Sequence, residues 1–245
     1  MKVEEAKERL RDYLLDGIAS EIFRAEEAYS LAAEIGNHAE EINSANFGEF
    51  FGSLQIILSD RQTLSIVKLF DSGKRHPTRS IPATLSILKS YAELWKLSDR
   101  QALCRFLIDA GGESSEVESL DDAGLTRALV AHFENTLPAS RLPASRYIGL
   151  DKRTASFGAL RQARNKVIAH NEDIKADELP TVTWGEARSL LNYAKKFVAT
   201  VGDQYLGLIF SDSSDNYSPT NDARRTSQQL RRLLKSANIL EGRRC

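Results

Sequence analysis

Cysteine is almost missing from this chain of 245 residues: there are two, Cys104 within a helical pattern and Cys245 at the last position. That pair cannot supply a disulfide framework, and a reducing cytoplasm is the expected compartment. Long apolar runs are lacking too, since no stretch approaches the roughly 20 apolar residues of a membrane span, and no membrane partner is expected. The opening residues Met1-Lys2-Val3-Glu4-Glu5 are charged and lack the apolar core of a secretory signal. Proline (6) and glycine (14) are scarce, and strand-like alternation is nowhere sustained, which argues against a turn-rich β architecture. The phosphate-cradling Gly-Lys-Ser/Thr loop, the dinucleotide glycine fingerprint and the His-Glu-x-x-His helix are also absent. The four histidines, at 38, 76, 132 and 170, show no metal-ligand spacing among themselves or with Cys104, so no metal or cofactor is expected.

What is present is helical. Hydrophobic residues make up 42% and charged residues 27%, enough apolar side chain for a sizeable core. Apolar positions recur at three and four residues across long segments. The first helix is expected from about Glu4 to Ile35, burying Leu10, Tyr13, Leu14, Ile18, Ile22, Ala25 and Tyr29. A second follows from about Ser44 to Phe70, a third from Ser80 to Leu97, and a shorter one, capped by Ser98, to Ala110. After the polar stretch from Glu113 to Asp122, helices are expected over Ala123 to Leu137, Asp151 to Asn171 and Thr183 to Phe210. The division is a helical domain over 1–210, a polar linker over 211–222, and a basic C-terminal helix and tail over 223–245.

On the Asp151 to Asn171 helix, Leu160, Arg164, Val167, Ile168 and Asn171 follow one another by three or four residues and share a face. Arg164 stands in an otherwise largely apolar stripe. A guanidinium keeps its proton on burial, so Arg164 is either a structural Arg paired with a carboxylate or an anion binder. Asp60 and Asp71, eleven residues apart on the second helix and on the face of Ile57, Leu64 and Val67, are the candidate structural partners.

The run Arg164-Asn165-Lys166-Val167-Ile168-Ala169-His170, an Arg, a polar residue beside it and a His after five intervening positions, resembles the signature of the HEPN superfamily. Leu160-Arg161-Gln162-Ala163 before it, Asn171-Glu172-Asp173 after it, and Arg61-Gln62-Thr63-Leu64-Ser65-Ile66 through Asp71 are similar to the abortive-infection (AbiU-type) branch. The resemblance covers roughly the first 210 residues. It implies an all-α, antiparallel helical bundle, here with additional helices, that pairs into a homodimer with both motifs in one cleft. It also implies a metal-independent endoribonuclease of a phage-defence or toxin-antitoxin system, or a non-catalytic nucleic-acid-binding or regulatory module of the same fold. Under the first alternative Arg164 holds the scissile phosphate of RNA, His170 transfers a proton and Asn165 orients one of them. Lys166 and Arg161 either contact substrate phosphate or are solvated helix residues. Some HEPN toxins carry a Tyr two residues after the His, where a partner nucleotidyltransferase modifies it; Glu172 stands there instead, which leaves direct binding of an antitoxin or regulatory protein as the expected partnership. Arg164 and His170, six residues apart, lie about 120° from each other on an ideal helix. A shared site therefore needs a helix end, a local distortion or a second chain.

Net charge is −1, but unevenly spread. Residues 223–245 hold seven Lys/Arg against Glu241, a net +6, which leaves 26 basic and 33 acidic residues before them, a net −7. At 100° per residue, Arg224, Arg225, Arg231, Arg232 and Lys235 fall within about 120° of one another, while Leu230, Leu233, Leu234 and Ala237 fall on the opposite side. The leucine face is expected to dock on the bundle. The basic face then meets RNA phosphates, or else packs on the acidic body.

Overall fold

Leu10, Leu14, Ile18, Ile22 and Ala25 recur at helical spacing, and all five are sealed from solvent. They line one face of a long N-terminal rod made of α1 (Val3–Asp12), a π-helical stretch (Tyr13–Ala19) and α2 (Ser20–Asn37). The chain was analysed as a computed structural model, which describes residues 3–72, 78–138, 152–164, 182–211 and 217–240. The rod is interrupted where the segment before α5 crosses it. A Cβ on Gly17 would stand 2.4 Å from Arg79 Cβ, so only glycine fits the crossing, and the Arg79 Nε donates to Asp12 Oδ2 at 2.8 Å. Tyr29, expected on the buried side, is half-buried instead.

The second expected helix is two, α3 (Ala39–Ser44) and α4 (Gly48–Phe70), because Asn46 adopts a left-handed backbone with φ 64°. The third is shorter than its apolar pattern suggests. Ser80 caps α5 (Ile81–Ser90), and the chain leaves helical geometry by Trp95, whose indole donates to the Leu88 carbonyl at 3.1 Å. The cap expected at Ser98 belongs to Asp99, whose carboxylate accepts from the Ala102 amide at 2.9 Å to start α6 (Arg100–Asp109). The polar stretch after it contains a short helix, α7 (Ser114–Ser119), followed by α8 (Asp122–Thr136).

Helix α9 (Lys152–Ala163) precedes α10 (Trp184–Leu206), which opens with a reciprocal Thr183–Glu186 capping box and closes on Gly207 in the left-handed region. Residues of the expected linker from Ser218 onward already belong to α11 (Ser218–Ser236), after an isolated bridge between Ser211 and Tyr217. Every regular element among the described residues is helical, so the fold is all-α. No helix among them is long and apolar enough to cross a membrane. A large core joins α1, α2, α4, α5, α6, α8, α9 and α10. A smaller one, built on Ala28, Ala32, Ile35, Ile42, Phe51 and Leu58, receives Leu234, Ile239 and Leu240 from α11 and the turn that follows it.

Candidate functional site

Helix α9 is anchored by its apolar side. Phe157 and Leu160 are buried in the main core, and Phe157 meets Phe70 of α4 at a ring-centroid distance of 5.3 Å. One turn past Leu160, at Arg164, the backbone passes from α into π geometry, a distortion that often marks functional positions in helices. Arg164 is itself partly buried, and its Nε is shut off from solvent without a hydrogen-bond partner.

Neither structural partner weighed for it is engaged: among the described residues no ion pair joins Arg164 to Asp60 or Asp71. The Asp60 carboxyl is pushed above the ordinary range by burial, with no cation beside it pulling the other way. Asp71 ends α4, and its carbonyl accepts the Ser80 hydroxyl at 2.6 Å and the Thr78 hydroxyl at 3.3 Å. A buried N–H without an acceptor costs about 1–3 kcal/mol, which makes the orphaned Nε a candidate binding position. The Nε edge of a guanidinium presents two parallel donors, which suit the two oxygens of a phosphate or carboxylate. Arg161, one turn earlier, is half-buried and engaged in an interaction of its own. Asn165, Lys166 and His170 lie outside the described residues.

The basic helix divides. Arg224, Arg225, Arg232 and Lys235 of α11 are exposed. Arg231 turns back to the body, where its Nε and Nη2 donate to both oxygens of Glu34 at 2.5 and 3.1 Å. Glu34 is buried, so this fifth basic residue is a clamp between α11 and α2, and at Arg231 the basic face packs on the acidic body. The bond to Glu34 also raises the Arg231 pKa further. The leucine face docks only in part: Leu234 is buried, Leu230 half-buried and Leu233 61% exposed.

Two arrangements went unread in the sequence. Lys195 of α10 meets Glu26 of α2 at 2.5 Å, both largely buried, and Tyr217 stacks on Phe210 beneath them with its hydroxyl unpartnered. Burial, reinforced by the charge of Glu26, drives the Tyr217 pKa upward. A helical pattern marks these residues as inward-facing but does not pair Lys195 with Glu26 across 169 positions. The second is an apolar groove of about 400 Å3 between α4 and α11. Phe47 and Phe50 line it; their place one turn apart at the start of a helix was the available signal.

Neither a family model, a curated protein nor a solved structure matches the chain.

Proposed function

We propose that the protein is a metal-independent endoribonuclease of HEPN type, acting in a phage-defence or toxin-antitoxin setting, with Arg164 as its phosphate-binding group. The observation that carries this reading is the buried, unpartnered Nε of Arg164 on a helix fixed from behind by Phe157 and Leu160. A structural arginine in that position would be expected to hold a carboxylate. The resemblance of residues 164–170 to the HEPN motif supplies the rest of the machinery.

In this reading the RNA 2′-hydroxyl attacks the adjacent phosphorus. The O2′–P bond forms, the P–O5′ bond breaks, one proton leaves the 2′-oxygen and one is delivered to the 5′-oxygen, leaving a 2′,3′-cyclic phosphate. His170 serves in the proton transfer, as the unperturbed imidazole range suits. Asn165 orients, and Arg164 stabilises charge on the phosphoryl oxygens. Lys166 and Arg161 flank the substrate path. A second reading, a non-catalytic RNA-binding or regulatory HEPN module, is favoured by the four exposed cations of α11, whose phosphate contacts would be insensitive to base sequence.

Incubating purified protein with RNA in chelator tests both. The expected result is cyclic-phosphate fragments from the wild type and none from His170→Ala or Arg164→Ala, with the melting temperature of Arg164→Ala close to wild type. RNA binding without cleavage in the wild type favours the second reading. Cleavage that survives His170→Ala removes the first.

A further inference from the structure

A cavity of about 330 Å3 opens between the N-terminal rod and α5, and none of the described residues of α9 lines it. The rod contributes Arg9 and Tyr13, one turn apart. From α5 come Pro82, Ser86 and Ser90, each one turn from the next, with the buried Ile87 on the same side. Tyr91, just past the end of α5, completes the lining used below. Tyr13 also opens the π-helical stretch, a departure from α geometry of the kind that recurs at functional positions.

The polar groups of this cavity are donors without acceptors. Tyr13 is only 8% exposed, and its hydroxyl oxygen accepts from Arg9 Nη2 at 3.3 Å. That leaves the phenolic O–H to be donated, and among the described residues nothing accepts it. Arg9 forms no ion pair with a described carboxylate, so one of its five N–H groups is engaged and the rest are free. Asp12, beside Tyr13 in the chain, is held by Arg79. The hydroxyls of Ser86, Ser90 and Tyr91 make no hydrogen bond to a described residue either. A neighbouring cavity of about 680 Å3 shares Tyr13 but has the opposite character, with Asp12, Asp16, Glu21 and Asp71 in its wall. Its cations are already neutralised: Arg24 and Lys68 both reach Glu21 Oε1, at 2.9 and 3.2 Å, and Arg79 reaches Asp12.

We propose that the cavity of Arg9 and Tyr13 binds the phosphate group of a small phosphate monoester. One cation, a nearly buried phenol and several hydroxyls, with no carboxylate among the described lining residues, select an anion. A tetrahedral phosphate offers three terminal oxygens, enough to accept the guanidinium from the rod and hydroxyls from α5 across the cavity; a planar carboxylate has two. The first turn of α5, at Pro82 and Ala83, lies in the same wall and adds the positive end of its dipole. Ile87 and the tyrosine rings leave apolar surface for the carbon skeleton of the ester. The volume is at the small end of the roughly 300–1,000 Å3 of small-molecule sites, which fits a sugar phosphate or a mononucleotide. The site shares no residue with the motif of residues 164–170 and does not depend on the ribonuclease reading.

Titration calorimetry and amide NMR of the full chain test the proposal, with ribose 5-phosphate and adenosine monophosphate as probes and with ribose and inorganic phosphate for comparison. At least one ester is expected to bind more tightly than inorganic phosphate, ribose is expected not to bind, and the amide shifts should cluster at Tyr13, Ser86 and Ser90. Arg9→Gln should weaken ester binding by about tenfold or more, the loss expected for a hydrogen bond to a charged group. Tyr13→Phe, which keeps the ring in the core, should weaken it by a smaller factor. Both variants should melt as the wild type does. Arg24→Gln, in the neighbouring cavity, should bind as the wild type does. Failure of both esters to bind at millimolar concentration overturns the proposal, and so does inorganic phosphate binding as tightly as the esters. Shifts clustered elsewhere, undiminished affinity in Arg9→Gln, or an equal loss in Arg24→Gln would overturn it as well.

Discussion

Helices α10 and α11 are close in length, 23 and 19 residues, and both carry an apolar stripe, yet they are held by different forces. α10 buries eleven residues, among them Leu190, Phe197, Val198 and Val201 with no exposed area. Its polar contacts are internal as well: the Tyr193 hydroxyl donates to the Phe133 carbonyl at 2.7 Å, and Tyr205 meets the Thr126 hydroxyl at 3.1 Å. α11 buries Ala223 and Leu234 and relies on polar ties to α2, with Arg231 on Glu34 and Thr226 on Glu27. Much of its surface is left for cations and for Leu233. One helix is invested in holding the fold, and the other is attached at a few points so that its outer faces stay available.

The sharpest way to break this comparison is to truncate one side chain in each region. Phe197→Ala in α10 removes a fully buried side chain that meets Phe133 at 5.0 Å, and should cost about 3–5 kcal/mol of unfolding free energy in chemical denaturation. Arg231→Ala should cost less, about 1–2 kcal/mol. It strands a buried Glu34 carboxylate whose remaining contact is His38 Nε2 at 3.2 Å, but half of the Arg231 side chain already faces water. Hydrogen exchange should show the Arg231 loss concentrated in α11 and the Phe197 loss spread over the main core. Equal global losses from both variants would dissolve the distinction.

The same contrast explains how much was legible in the sequence. Spacing alone places Leu10, Leu14, Ile18, Ile22 and Ala25 in the core, because a helix face is a local property and one face of this rod is buried. It fails where a neighbour decides: the π stretch at Tyr13–Ala19 belongs with the crossing of Arg79 over Gly17, sixty-two positions away. The basic face of α11 was legible as a face, but the angle that groups Arg231 with the other four says nothing of Glu34 on α2. Likewise the apolar stripe of α11 predicts docking and not its extent. Leu233 lies on the edge of the stripe, and α2 is too narrow a partner to cover it. At the candidate site, the sequence marks Arg164 as an odd cation on an apolar stripe, but which group meets it is a matter of neighbours, and its Nε is left without a partner.

The exposed part of α11 gives a prediction with no stability effect of note. Replacing Arg224, Arg225, Arg232 and Lys235 by Gln touches no core residue and should leave the unfolding free energy within about 0.5 kcal/mol of wild type. If these four meet RNA phosphates, they contribute about −3 to the logarithmic salt dependence of binding to single-stranded RNA, and the slope should become shallower by that amount. Point variants are the right instrument. Deleting residues 223–245 would also remove Leu234, Ile239 and Leu240 from the smaller core and confound binding with folding. An unchanged slope in the Gln variant assigns the basic face a role other than phosphate contact.

The smallest expected effect belongs to the α10 side and concerns pH. His132 of α8 packs edge-on against Phe106 at 5.5 Å and Phe133 at 5.3 Å, and Lys196 of α10 lies over the Phe106 ring. Burial first, and the charge of Lys196 second, lower the His132 pKa below its ordinary value of 6.5. The unfolded chain therefore binds this proton more readily than the folded one, so stability rises with pH through the window and is lost as pH falls from about 6.5 through the lowered folded value. His132→Gln cannot take up the proton. Its melting temperature should fall less steeply than that of wild type between neutral and mildly acidic pH, with the two curves parallel above neutrality. The Arg231→Ala variant should retain the wild-type His132 contribution, because Arg231 and His132 lie on different helices and serve different cores. A wild-type slope that survives in His132→Gln would assign the acid sensitivity to the carboxylates instead and remove His132 from the account.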